Sequence, residues 1–333
     1  MPNARWHPPA TPFMVAHVGV SYRTLQAALR RGAVTELHPG VYVASEAVPS
    51  NTAEAHAQRA LAQQVRTPAL VASHQTAALA HGLALLHPER VAAEPPRFTR
   101  VRGGSTRTTP LIAARPLPPA HVTDIAAGPL AGLRLTTPAR TAIDLAAELE
   151  LPEALMLLDH VARRAAAGYL VSQQLRGHIS DRVMVAALRP LRQAQVVRPH
   201  RNRRAMAALQ LTDPRRESPG ESLSFGQIVA AGLPAPECQA QFDTEHGTKW
   251  LDFDWPEFGV AGECHGAIKY DGSLGSPDGV LVAEAERHHA IANAGRSVVA
   301  WDVREVISHP QVVVARIASR LMAHGWDGTL RKV

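Results

Sequence analysis

The chain reads as a mixed α/β protein of more than one domain, and three observations lead there. Its 333 residues exceed what a single hydrophobic core usually serves. Its charge is divided: residues 1–216 hold 26 arginines, no lysine and 13 acids, a net +13, whereas residues 217–333 hold 9 basic groups and 16 acids, a net −7. Its local grammar changes at the same point, from alanine-rich helical sequence to short β-prone runs set between helices. Hydrophobic residues make up 46% and charged residues 19%, which excludes a disordered chain. The expected division is a winged helix-turn-helix-like segment (1–50), a mostly helical middle (51–197), a basic linker (198–216) and an α/β domain (217–333).

At the front, Phe13 to His17 suits a short helix that Gly19-Val20 breaks. Ser21 then caps a second helix, whose apolar positions Tyr22, Leu25, Ala28 and Leu29 follow the spacing of one buried face. Gly32, after Arg30-Arg31, ends it as a C′ glycine. Helix, glycine turn and helix is helix-turn-helix grammar, in which the second helix enters the DNA major groove. Runs 34–37 and 41–43 flank His38-Pro39-Gly40 as a small hairpin, or wing. Arg23, Gln26, Arg30 and Arg31 fall on the solvent side, either reaching phosphates and base edges or forming an ordinary solvated face.

In the middle, 53–66, 73–86, 135–149 and 152–168 read as helices, with Ser73 as one cap and Pro138 in a first turn. The proline- and arginine-rich stretch 88–123 suggests short strands and loops. Arg140 and Asp144 stand one helical turn apart, the spacing of a local ion pair. The linker concentrates Arg198, Arg201, Arg203, Arg204, Arg215 and Arg216. It is either a phosphate-neutralising arm, with Arg201, Arg203 and Arg204 as its contacts, or a solvated connector.

The back end begins with a helix over 220–233. Runs 238–243, 248–255 and 259–266 follow as an antiparallel meander, then a helix at 280–294, a strand at 297–301 and a helix at 310–323. Strand alternation puts Asp252 and Asp254 on one face and Leu251 and Phe253 on the other. On the next strand Glu263 and His265 share a face opposite Cys264. A tight turn can bring Asp252 beside Glu263, where two carboxylates repel unless a cation separates them. This is the pattern of a Mg²⁺ site, with Glu221 as a third carboxylate, or else of exposed acids at sheet ends.

No run approaches about 18 apolar residues, so no membrane helix or membrane partner is expected, and the first residues lack a secretory apolar run. Cys238 and Cys264 make no CxxC and read as reduced thiols of a cytoplasmic protein. Walker, GxGxxG and GxSxG motifs are absent, which excludes the nucleotide, dinucleotide and serine-hydrolase classes that depend on them.

The front segment, with LQAALRRGAV and LHPGVYV, resembles the N-terminal winged helix-turn-helix of AbiEi-type antitoxins from type IV toxin–antitoxin systems, and GLRLTTPARTAIDLA resembles the middle of their long members. That resemblance implies promoter DNA as ligand, autoregulation of the operon and a cognate toxin protein as partner. GESLSFGQIVAAGLPAP, LDFDWPEFGVAGE, GAIKY and EAERHHAIANAGRSVVAW resemble a C-terminal domain often fused to such regulators. It is allied to very-short-patch-repair endonucleases of the PD-(D/E)XK superfamily. By this resemblance Glu221 is the helix acid, Asp252 and Glu263 are Mg²⁺ ligands, the Cys264 carbonyl completes the shell and Lys269 is a displaced catalytic lysine. His265 stands where the superfamily usually has lysine, and could act as a base or proton donor. Glu284-Ala285 replaces a Glu-Lys pair, and His288 and His289 replace acids. Three functions follow as expectations: a DNA-binding regulator of antitoxin type with a nuclease-like domain, an active Mg²⁺-dependent DNA endonuclease, and a toxin-neutralising protein-interaction module.

Overall fold

The structure, a computed structural model, describes residues 6–101, 112–167, 179–196, 203–266 and 277–331, with the backbone alone at 112–116 and 277–284. Lys269, Arg198 and Arg201 lie outside the described residues. The protein is mixed α/β and divides into two compact units, Met1–Leu145 and Ala146–Val333.

The first unit opens with α1 (Val15–Val18) and α2 (Tyr22–Arg30), followed by the hairpin strands β1 (Val34–His38) and β2 (Val41–Ala44). The Ser21 hydroxyl accepts from the Thr24 amide at 3.1 Å and fixes the start of α2. At its end Gly32 takes φ +68°, a conformation glycine adopts without strain, and the Ala33 amide donates back to the Ala28 carbonyl at 3.0 Å. Phe13 lies outside the helix expected for it. Its amide and carbonyl exchange hydrogen bonds with Tyr42 of the wing, at 2.8 and 2.9 Å, so the chain enters as an extra extended segment beside the hairpin. Phe13, Leu25, Ala28, Val34 and Tyr42 form one buried cluster. Tyr22, expected on that face, is 67% exposed. It sits in the first turn of α2.

After α3 (Thr52–Arg66) come β3 (Leu70–Ala72), α4 (His74–Ala80), α5 (Pro88–Ala93), β4 (Phe98–Arg100), β5 (Ile112–Pro116), β6 (Val122–Asp124) and β7 (Arg134–Thr136). The strands make a five-stranded sheet in the order β5-β4-β3-β7-β6; β4, β5 and most of β6 fall within 88–123, where short strands are expected, while β3 and β7 lie outside it. α4 ends earlier than the expected 86, because Gly82 turns the chain at φ +61°. α6 (Pro138–Ala146) closes the unit and carries the buried, bidentate Arg140–Asp144 ion pair.

The second unit starts with α7 (Leu151–Ala166), α8 (Asp181–Val196) and α9 (Arg203–Gln210). α10 (Pro219–Ala230) is capped by Ser218. β8 (Glu237–Thr244), β9 (Gly247–Trp255) and β10 (Val260–His265) then form the antiparallel meander. After α11 (Pro277–Asn293), β11 (Ser297–Asp302) joins parallel to β10, giving the order β11-β10-β9-β8; α12 (Val303–Ser308) and α13 (Pro310–Ala323) follow. Close packing holds the parts together. A Cβ on Gly226 of α10 would come within 2.4 Å of the Pro152 backbone of α7, so only glycine allows that approach.

Candidate functional site

Two groups of side chains carry chemistry. The first is the solvent face of α2. Leu25 and Ala28 are fully buried, while Arg23, Arg30 and Arg31 are exposed and Gln26 is half-buried. Among the described residues, no carboxylate pairs with the guanidinium of Arg23, Arg30 or Arg31. Their charge is therefore available to an external anion.

The linker arginines separate into two kinds. Arg203 and Arg204 start α9 and are exposed, Arg204 lying 3.0 Å from Glu150. Arg216 is 2% exposed, and its guanidinium grips Asp159 at 2.6 and 3.0 Å while lying 4.1 Å from the Phe225 ring centroid. Arg215 clamps Asp213 with contacts from 2.6 to 3.0 Å. Asp159 lies 57 residues away from Arg216, so linear sequence shows one basic run where Arg215 and Arg216 are part of the internal structure.

The second group lies on the β8-β9-β10 sheet, and here the alternation expected for β9 breaks. Adjacent residues of β10 define the faces: Ala261 packs with Leu251 and with Ile291 of α11, whereas a Cβ on Gly262 would meet Trp301 at 2.8 Å. Phe253 stacks on Trp301, centroids 5.4 Å apart, and the Trp301 indole donates to Ser224 of α10 at 2.9 Å. Leu251 and Phe253 thus lie on opposite faces rather than sharing one, and the reversal falls at Asp252. Across from it, Gln239 takes φ +52°, a strained region for a residue with a side chain.

That reversal separates the two aspartates. Asp254 pairs with Arg296, at 2.8 and 3.2 Å. Asp252 turns instead to the α10 side, where it accepts from the Cys264 amide at 2.9 Å and from the Gln239 side-chain amide at 3.3 Å. The same Gln239 amide donates to Glu221 at 2.9 Å, and the Glu217 amide donates to that carboxylate at 2.8 Å. Burial first, and then the charge of Asp252, push the Glu221 carboxyl up to about 7. The protein thus holds two carboxylates together through one glutamine, and nothing in the spacing of the sequence pointed to Gln239.

Glu263 and His265 face α11. The Glu263 carboxylate takes contacts of 3.1 to 3.3 Å from Arg287, which also donates to the Trp250 carbonyl, and the His265 ring lies 5.5 Å from that of His288. The expected Mg²⁺ ligands therefore fit the ion poorly as they stand: Arg287 already neutralises Glu263, and Asp252 is engaged with Glu221 and Gln239. Among the described residues, no three His, Cys, Asp or Glu side chains converge into a metal-holding group. Burial pushes the thiols of Cys238 and Cys264 up to about 12, so both are protonated and unreactive near neutrality.

No helix among the described residues is long and apolar enough to cross a membrane. No family model matches the chain. It is similar to two Mycobacterium tuberculosis proteins, "Uncharacterized protein Rv2248" of strain ATCC 25618 / H37Rv and "Uncharacterized protein MT2308" of strain CDC 1551 / Oshkosh. Each is 28% identical over 202 residues, which is 58% of this chain, and the match spans 63% of each relative's length.

Proposed function

We propose that this protein is a DNA-directed regulator of antitoxin type, with α2 as its reading helix and a nuclease-like second unit. The observation that carries the reading is the solvent face of α2: three exposed arginines without a carboxylate partner among the described residues, on the second helix of a helix–turn–helix, beside a β-hairpin. Guanidinium groups so placed neutralise phosphates and reach base edges, while a helix of this width fits the major groove. Gel-shift on the region upstream of its own gene tests it. Arg30→Ala combined with Arg31→Ala weakens binding by about 10- to 100-fold near 100 mM salt and flattens the salt dependence. Unchanged binding by that variant removes α2 as the reader.

One observation favours a second reading, a Mg²⁺-dependent DNA endonuclease. That observation is the pair Glu221 and Asp252, both held by the Gln239 side-chain amide on a helix and a strand of the helix–meander–helix–strand unit. Incubating supercoiled plasmid with Mg²⁺ or Mn²⁺ separates the two. Nicking that disappears in Asp252→Ala supports the enzyme, and intact plasmid with no metal binding by calorimetry leaves the regulator alone. Toxin neutralisation through protein contact is the third outcome, read as capture of a neighbouring gene's product without DNA binding.

A further inference from the structure

We infer that Tyr22 is a base-reading residue of this protein, packing its ring on thymine methyl groups in the major groove. The inference rests on the DNA reading proposed above and names what that surface recognises.

The argument starts from a misfit. Tyr22 lies on the apolar edge of α2, one turn before Gln26 and seven residues before Leu29, so periodicity assigns it to the core. It is nevertheless 67% exposed, the most exposed large apolar side chain described in the first unit. The cluster beneath is closed without it, by Phe13, Leu25, Ala28, Val34 and Tyr42, with Trp6, Val15, Val18 and Leu29 packed around them. The ring is surplus to the fold.

Its position supplies the use. Residues in the first turns of a second helix are the ones that reach base edges in this motif. Tyr22 occupies the first helical position, directly before Arg23 and one turn before the half-buried Gln26. Arginine and glutamine offer hydrogen bonds, to phosphate, guanine or adenine; none of them offers an apolar surface. Thymine is the one base whose major-groove edge carries a methyl group, and an exposed aromatic ring is the apolar partner it lacks. The cationic face provides the charge complementarity that makes DNA the occupant, rather than a second apolar protein surface.

The test is a coupled comparison on the full-length protein. The duplex is the region upstream of its own gene, made once with thymine and once with deoxyuridine, which removes only the C5-methyl groups. The native protein should bind the thymine duplex about tenfold more tightly than the deoxyuridine duplex. Tyr22→Ala should lose that preference, binding both duplexes as weakly as the native protein binds the second, and Tyr22→Phe should keep it. A native protein indifferent to the substitution, or a Tyr22→Ala variant weakened equally on both duplexes, overturns the inference while leaving the DNA reading in place. If native protein and variants bind neither duplex at 50 mM salt, the DNA reading and the inference fall together.

Discussion

On α2, Arg23, Arg30 and Arg31 present their charge to solvent, with no carboxylate partner among the described residues. In the second unit Arg216, Arg287, Arg296 and Arg316 each hold a carboxylate of that same unit: Asp159, Glu263, Asp254 and Glu305. One residue type thus serves two purposes. Where no acid lies within reach, arginine leaves its charge exposed to solvent. Where an acid on another element meets it, arginine becomes a cross-link of the fold, with its planar fork matched to a carboxylate. The difference corrects a reading by net charge alone. The basic run 198–216 holds six arginines, yet Arg215 and Arg216 are engaged with Asp213 and Asp159 of their own unit.

The sharpest way to break the comparison is to free a locked arginine. Asp159→Ala leaves the Arg216 guanidinium buried without its charge partner, and should destabilise the second unit by about 3–5 kcal/mol. Urea denaturation reads this directly as a lower midpoint. If the midpoint moves by less than about 1 kcal/mol equivalent, the pair is not holding the fold. By contrast Arg23→Ala should leave the midpoint in place, since the exposed guanidinium has no internal partner to lose.

The next effect concerns pH. Glu221 titrates near 4.5 when unfolded and is raised to about 7 in the fold, so the native state holds the proton more tightly. Its contribution to stability is therefore complete below about pH 4.5 and is lost as pH rises through about 7, on the order of 3 kcal/mol in all. Glu221→Gln keeps an acceptor for the Glu217 amide and removes the charge. Thermal melts of native protein and variant between pH 4.5 and 8 should diverge steadily, the variant gaining relative stability toward the alkaline end. Parallel curves would mean that neither burial nor the charge of Asp252 opposes ionisation of Glu221.

The smallest expected effect lies at the α2 cap. Ser21→Ala removes the side-chain acceptor for the Thr24 amide and should cost about 1 kcal/mol. Because α2 also carries the proposed DNA face, the same variant should weaken gel-shift binding several-fold more than an equally mild lesion in the second unit. Equal effects from both would argue that the two units contribute alike to DNA binding.

Much of the fold was legible along the chain. The cap at Ser21, the glycine stop at Gly32, the wing and the three-strand meander are local events, each specified within a few residues. The five-stranded sheet of the first unit was legible only in part: 88–123 reads as short strands and loops, but nothing along the chain joins them to β3 and β7. Its strands β3, β4, β6 and β7 are three residues long, too short to display a period of two, and they pair with partners far along the chain. The candidate site was half legible. Glu221, Asp252 and Glu263 were visible as acids on the right elements, but not which of them would meet.

The sequence by itself determined the mixed α/β class and the ends and basic face of α2, because caps, turns and amphipathic spacing depend on neighbours within a turn or two. Only the tertiary structure decided which charges stay available. The reversal at Asp252, set against the strained Gln239, sends that carboxylate to Glu221. Arg287, 24 residues from Glu263, claims the other expected ligand. Arg216 reaches Asp159 across 57 residues, and Tyr22 is left outside a core that closed without it. The reason is physical: ion pairing and burial are settled by distances in space, which no periodicity along the chain encodes.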